Sequence, residues 1–296
     1  MRGPHNIWRL IRTGATLERT GAMGVVLDAF DAPAHLRLTA RILGWPFKWL
    51  GLKGDLNMPP APRALTALGP AYIKFGQVLS TRPDVVGDEL ASQLTVLQDK
   101  LPPFSTEIAK QNIAHELGVD ADVIFSAFSP AVAAASIAQV HRATLRQNGE
   151  EVAVKVLRPD IERAFRTDLD AFFLAARIIE VLSPASRRLR PLDVISHFES
   201  VVLGELDLRL ESSAASEFAA NTAQDEGFTL PVIKWPHSSR RVMTMSWAEG
   251  VPMGDNAAID AAGHNRQALS TRVLQLFLNH ALRDGYFHAD MHQGNM

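Results

Sequence analysis

Apolar positions recur near a 3.6-residue period through Leu65, Leu68, Tyr72, Phe75 and Leu79, and the pattern predicts helix from Arg63 to Ile124. Upstream, residues 5–52 read as short helices punctuated by glycine and proline, and Asn57–Pro62 (NMPPAP) reads as a stiff linker. The period then changes. Ile137–Leu145 and Glu151–Leu157 read as strands joined by a turn at Gln147-Asn148-Gly149, where Asn-Gly is a strong hairpin signal. Two long helices are predicted over roughly 160–183 and 191–219, parted at Ser183-Pro184. Val232–Trp235 and Arg241–Trp247 read as further strands, and a last helix near 265–284 runs into a polar loop, Tyr286–Met296. This order predicts an α+β fold built on a small sheet.

Composition narrows the chemistry. The 296 residues are 47% hydrophobic and 21% charged, enough apolar material for a packed core. There is no cysteine, which excludes disulfides, zinc-thiolate sites, Fe–S clusters and thiol nucleophiles. A net charge of -2 argues against a nucleic-acid binder. The distribution of charge is uneven: Arg2, Arg9, Arg12, Arg19, Arg37, Arg41, Lys48 and Lys53 face only Glu18, Asp28 and Asp31 within residues 1–53. With Trp8, Trp45, Phe47 and Trp49 in the same stretch, this segment reads either as a peripheral binder of anionic bilayers or as a helical appendage with solvated arginines. No run reaches the ~18 apolar residues of a spanning helix, and Arg9 and Arg12 interrupt any signal-peptide core.

Several motifs carry candidate chemistry. Glu151-Val-Ala-Val-Lys155 ends an alternating strand on a lysine, as a strand does that offers its lysine to nucleotide phosphates; a solvated strand-end lysine is the plainer reading. Before it, where a glycine-rich phosphate loop would stand, the chain has Pro130–Ser136 with Ala133, Ala134 and Ala135, which also reads as a helical turn. His288-Ala-Asp290-Met-His-Gln-Gly-Asn295 has the Asp-to-Asn spacing of a kinase catalytic loop, with Asp290 at the acceptor and Asn295 on Mg²⁺. Two rivals stand beside it: a transition-metal site of His288, Asp290 and His292, and a solvated turn.

On the 191–219 helix, Glu205 continues the apolar line Val194, Phe198, Val201, Val202, so it is expected to point inward and to have a cationic partner. Asp207 and Glu211 share another face, and a solvated acidic run with Arg209 as counter-ion fits them equally. On a regular helix Glu205 and Asp207 diverge by roughly 160°, so a shared site requires a distorted helix or a helix end. Lys74 and Gln77 lie on one polar helix face, which composition alone reads as solvated, and Gly76 between them permits a close approach.

Together, LGPAYIKFGQVLSTRPD (68–84), AAASIAQVHRA (133–143), EVAVKVLRPDI (151–161), ELDLRLES (205–212) and FHADMHQGN (287–295) resemble the UbiB, or aarF domain, family of atypical kinase-like proteins, in family order. The resemblance implies a protein-kinase-like two-lobed fold. It divides the chain into a basic, membrane-associating segment (1–58), a family-specific extension (63–126), a kinase-like N-terminal lobe with inserted helices (127–250) and the start of a C-terminal lobe (251–296). By the same resemblance, Lys74 and Gln77 match the KxGQ motif, Ala133–Ser136 the alanine-rich loop, Lys155 the nucleotide lysine, Glu205 and Asp207 the ExD motif and Glu211 the helix-C glutamate. Asp290 and Asn295 match the catalytic-loop pair, and Ser246, Trp247 and Ala248 join the cofactor-binding set. ATP and Mg²⁺ are the implied cofactors.

The family supports ubiquinone biosynthesis, which implies prenyl-lipid or quinone intermediates, other quinone-biosynthesis proteins and an anionic membrane surface as partners. The implied location is cytoplasmic, peripheral at the inner membrane. A catalytically dead lipid-binding or scaffold module is the alternative. Gln293 stands where the family has proline, and the family's Asp-Phe-Gly-like segment is expected beyond Met296, so the 296-residue chain is expected to hold an incomplete C-terminal lobe and to be inactive by itself.

Overall fold

The computed structural model describes residues 5–29, 44–97, 102–182 and 190–288, with isolated positions between 34 and 42 and at 187–188. In chain order the elements are α1 (His5–Thr20), α2 (Ala22–Ala29), α3 (Pro60–Leu68), α4 (Pro70–Ser80), α5 (Asp88–Leu94), α6 (Thr106–Leu117), β1 (Phe125–Ala134), β2 (Ala138–Leu145) and β3 (Glu151–Leu157). There follow α7 (Ile161–Leu182), α8 (Pro191–Glu205), α9 (Leu208–Asn221), β4 (Val242–Ser246), α10 (Asn256–Ala261) and α11 (Arg266–Asn279), with a π turn at His280–Asp284. The chain divides into two compact units: Met1–Phe104 with Ala133–Gln139 and Leu157–Leu206, and Ser105–Val132 with Val140–Val156 and Asp207–Met296.

The first unit is helical. The predicted apolar stripe from Leu65 to Leu79 is present but crosses a break, because Gly69 at φ 123 ends α3 and Pro70 opens α4. Proline belongs in a first helical turn, where its missing N–H removes no hydrogen bond. Ala61, Val86, Leu90, Ala91, Leu94 and Leu97 form one core cluster, with Leu65 and Leu79 packed on it. A second cluster is aromatic: Tyr72 meets Phe172 edge-on at 4.7 Å and Phe75 meets Phe198 at 5.1 Å, which seats α4 on α7 and α8. Arg9 forms an ion pair with the buried Asp168, tying α1 to α7.

The second unit carries the sheet, in strand order β1-β2-β3-β4. The turn after β2 contains Gly149 at φ 72, and Leu145 N–H donates to Glu150 O at 2.8 Å, closing the hairpin on the predicted Asn-Gly. On β3, Val152, Val154 and Val156 are fully buried, which turns Lys155 to the opposite face. β4 pairs antiparallel with β3, with Lys155 opposite Met243.

Three local expectations are corrected. Ala133 and Ala134 end a strand rather than forming a helical turn. Val232–Trp235 contributes only a single bridge, Ile233 to Met245, before a 3₁₀ turn at Trp235–His237. The helix read over 191–219 is two, parted at Leu206 and Asp207.

Candidate functional site

The alternation of β3 presents Lys155, and the first turn of α9 presents Glu211. Lys155 Nζ lies 2.7 and 2.8 Å from the two carboxylate oxygens of Glu211. The helix starts there because Asp207 caps it: its Oδ1 accepts from the Arg209 N–H at 3.1 Å. The Arg209 guanidinium grips the same carboxylate at 2.6 and 2.9 Å and holds Asp207 below the usual carboxylate range. Glu211 is 48% and Lys155 21% exposed, so the pair stabilises the fold by only about 0–1 kcal/mol. It is an accessible, oriented ammonium beside an accessible carboxylate, which suits phosphate oxygens.

At the edge of the same strand pair, the Ser246 N–H donates to Val232 O and the Trp247 N–H to Glu151 O, at 2.9 and 3.0 Å. The Arg142 guanidinium sits 4.8 Å from the Trp247 ring centre, and Ala248 is exposed beyond β4.

In the helical unit, Lys74 is not a solvated lysine. Its Nζ meets Glu205 Oε1 at 2.7 Å, with the side chains 22% and 33% exposed, which supplies the cationic partner that Glu205's apolar surroundings demand. Gln77 donates from Nε2 to Leu97 O at 2.9 Å. The close approach at Gly76 is made by leucines: a Cβ there would fall 2.4 Å from Leu97 Cδ1 and 2.6 Å from Leu65 Cδ1. Glu205 is the last residue of α8 and Asp207 caps α9, so the two carboxylates of the ExD stretch have separate partners and fall in different units.

The alanine-rich stretch Ala133–Ser136 has negative φ throughout, and the Ala135 N–H turns back to Ala138 O at 2.8 Å. Arg158 and Gln139, which sequence reasoning did not single out, hold it. Arg158 donates from Nε and Nη2 to Ala135 O at 3.1 and 3.0 Å and from Nη1 to Pro102 O at 3.0 Å. Burial pushes its pKa down. Gln139 bonds both the N–H and the carbonyl of Phe104. The sequence signal was their place inside two of the stretches that carry the resemblance, 133–143 and 151–161.

Asp290 and Asn295, with His292, lie outside the described residues. Among the described residues no group of three His, Asp or Glu side chains is placed to hold a metal ion.

A family model for the ABC1 atypical kinase-like domain matches residues 96–296. The chain belongs to the ABC1 atypical kinase-like family. Relatives named "Probable protein kinase UbiB" are 40% identical over 259 residues in Shewanella loihica and 37% identical over 292 residues in Pseudomonas paraeruginosa. These alignments cover 86% and 97% of this chain but 47% and 54% of the relatives, so the chain spans about half the length of the ABC1 relatives it matches. A solved structure, the complex of Rv3197 with erythromycin from Mycobacterium tuberculosis, superposes with a TM-score of 0.56 at 30% identity, covering 77% of this chain and 56% of that one. The α+β fold is therefore kinase-like, as the ABC1 motifs imply. Among the described residues no helix is long and apolar enough to cross a membrane.

Proposed function

We propose that this chain is the nucleotide-handling part of a UbiB-type atypical kinase that uses ATP in ubiquinone biosynthesis, acting on prenyl-lipid or quinone intermediates. The Lys155–Glu211 pair carries this reading, in a chain of the ABC1 family. Lys155 holds nucleotide phosphates and Glu211 fixes the direction of its ammonium. Ala133–Ser136 and Ser246–Ala248 complete the cofactor-binding set. Asp290 orients the acceptor or takes its proton, and Asn295 is the Mg²⁺ ligand; bound Mg²⁺ would neutralise charge developing on the phosphates. Lys74 and Gln77 are the extension's contribution, and Glu205 and Asp207 that of the inserted helices.

ATP hydrolysis by the full-length gene product is the direct test. Asp290→Asn is expected to lower turnover by about a hundredfold or more while ATP still binds. Mg²⁺-dependent turnover unaffected by that substitution would remove the kinase-like mechanism.

The N-terminal segment is proposed to lie on an anionic membrane surface at the cytoplasmic face of the inner membrane. Trp8 and Trp49 are 53% and 73% exposed, in a stretch rich in Arg and Lys. Co-sedimentation with vesicles containing anionic lipid is expected, weakening as salt screens an attraction of about 1 kcal/mol per basic residue. Sedimentation indifferent to both lipid charge and salt would overturn it.

A further inference from the structure

Asp225, in the loop that leaves α9, is 10% exposed in its side chain and accepts hydrogen bonds from two residues far beyond it in the sequence. Arg283 grips both oxygens, Nη1 to Oδ1 at 2.7 Å and Nη2 to Oδ2 at 2.9 Å, and the buried His280 reaches Oδ2 through Nε2 at 3.0 Å. Arg283 also bonds Asp284, from Nε and Nη2 at 2.7 Å each. Both partners of Asp225 stand on the π turn that closes α11, an irregularity that rotates a helix end and that requires local support.

Rings reinforce the ion pairs. His280 meets Phe218 of α9 edge-on at 5.1 Å and Phe228 at 5.0 Å. Tyr286 packs 6.0 Å from Phe218 and donates from its hydroxyl to Ala214 O at 3.4 Å. The helix that bears Glu211 is thus fastened to the turn from which the chain runs, through Gly285, straight into the motif beginning at His288. The Arg283 hydrogen bonds, helped by His280, hold the Asp225 carboxyl down to about 2.

We propose that Asp225, His280 and Arg283 form a lock that sets the π turn, from which the chain enters the 288–295 motif, against the helix carrying Glu211, with Asp225 as a positioning residue for turnover. The proposal rests on the ATP-using reading above and adds residues that touch no reacting atom. Because Lys155 is presented by the sheet, nucleotide affinity does not depend on the lock; the rate of the chemical step does. Displacement of a reacting group by an ångström can cost about a hundredfold in rate.

The test compares wild type, Asp225→Asn, His280→Ala and His280→Gln in the full-length protein, each measured for ATP turnover, ATP affinity and folded fraction. Asp225→Asn and His280→Ala are expected to lower turnover per folded molecule by about tenfold to a hundredfold, with ATP affinity within about twofold of wild type. His280→Gln, which keeps a side-chain N–H for Asp225, is expected to recover most of the rate. Turnover per folded molecule equal to wild type, or turnover and affinity falling together, would overturn the lock. Absence of ATP turnover in the wild type would instead count against the ATP-using reading itself.

Discussion

Lys155→Ala is expected to lower ATP turnover in the full-length protein by about a hundredfold to a thousandfold, because the ammonium that Glu211 holds in place is removed. Glu211→Gln is expected to cost less. The glutamine retains an acceptor for the lysine but no charge to hold its direction. Stability should barely move in either variant, since a pair this exposed contributes only about 0–1 kcal/mol to folding. Equilibrium unfolding and nucleotide affinity measured on the same preparations separate the two effects. A Lys155→Ala protein that binds and hydrolyses ATP like wild type would remove this residue from the site.

Gly51→Ala is expected to destabilise the helical unit more than any other single methyl addition at a glycine with ordinary backbone angles. Gly51 has φ -72 and ψ 154, so conformation does not demand glycine; space does. A Cβ there would stand 2.2 Å from Ala15 O and 2.7 Å from Thr16 N, main-chain atoms of α1 that no rotamer change can move aside. The same contact region holds the Arg19 bond to Gly51 O at 2.6 Å and the Leu52 N–H bond to Thr16 Oγ1 at 3.0 Å. Overpacking costs about 1–3 kcal/mol where side chains can adjust, and a backbone obstacle places Gly51→Ala at or above the upper end. Gly76→Ala is the comparison. Its obstacles are leucine methyls, and a mid-helix Gly-to-Ala change returns about 1 kcal/mol of helix propensity, so its net cost should be under about 2 kcal/mol. Urea denaturation of both variants checks the order; equal costs would show that the segment after Trp45–Leu50 yields as easily as a side chain.

Much of this protein was legible in its sequence because the relevant forces are local. The end of the helical pattern at Ile124 marked the passage from helix to sheet, although the first strand, β1, went unread, and Asn148-Gly149 marked the hairpin, since only residues tolerant of positive φ suit that turn. The motif set pointed to the ABC1 family, and the strand lysine and the acidic run told which side chains to watch. The resemblance also paired Lys155 with Glu211, and the structure joins them; the partners of other polar residues the sequence could not supply. Lys74 looked solvated because its counter-ion Glu205 lies 131 positions away in the chain, on another helix. The 191–219 stretch reads as one helix by periodicity, yet Asp207 satisfies the N–H of Arg209 with its own side chain and starts a new one, a choice made once Leu206 and Leu208 are fully buried. The roles of Arg158, Gln139 and Asp225 as braces arise entirely from where tertiary packing sets Ala135, Phe104 and the π turn. Local propensity and pattern determined most of the elements, and the motif resemblance named the chemistry; burial, by forcing each polar group to find a partner, decided most of which residues hold one another.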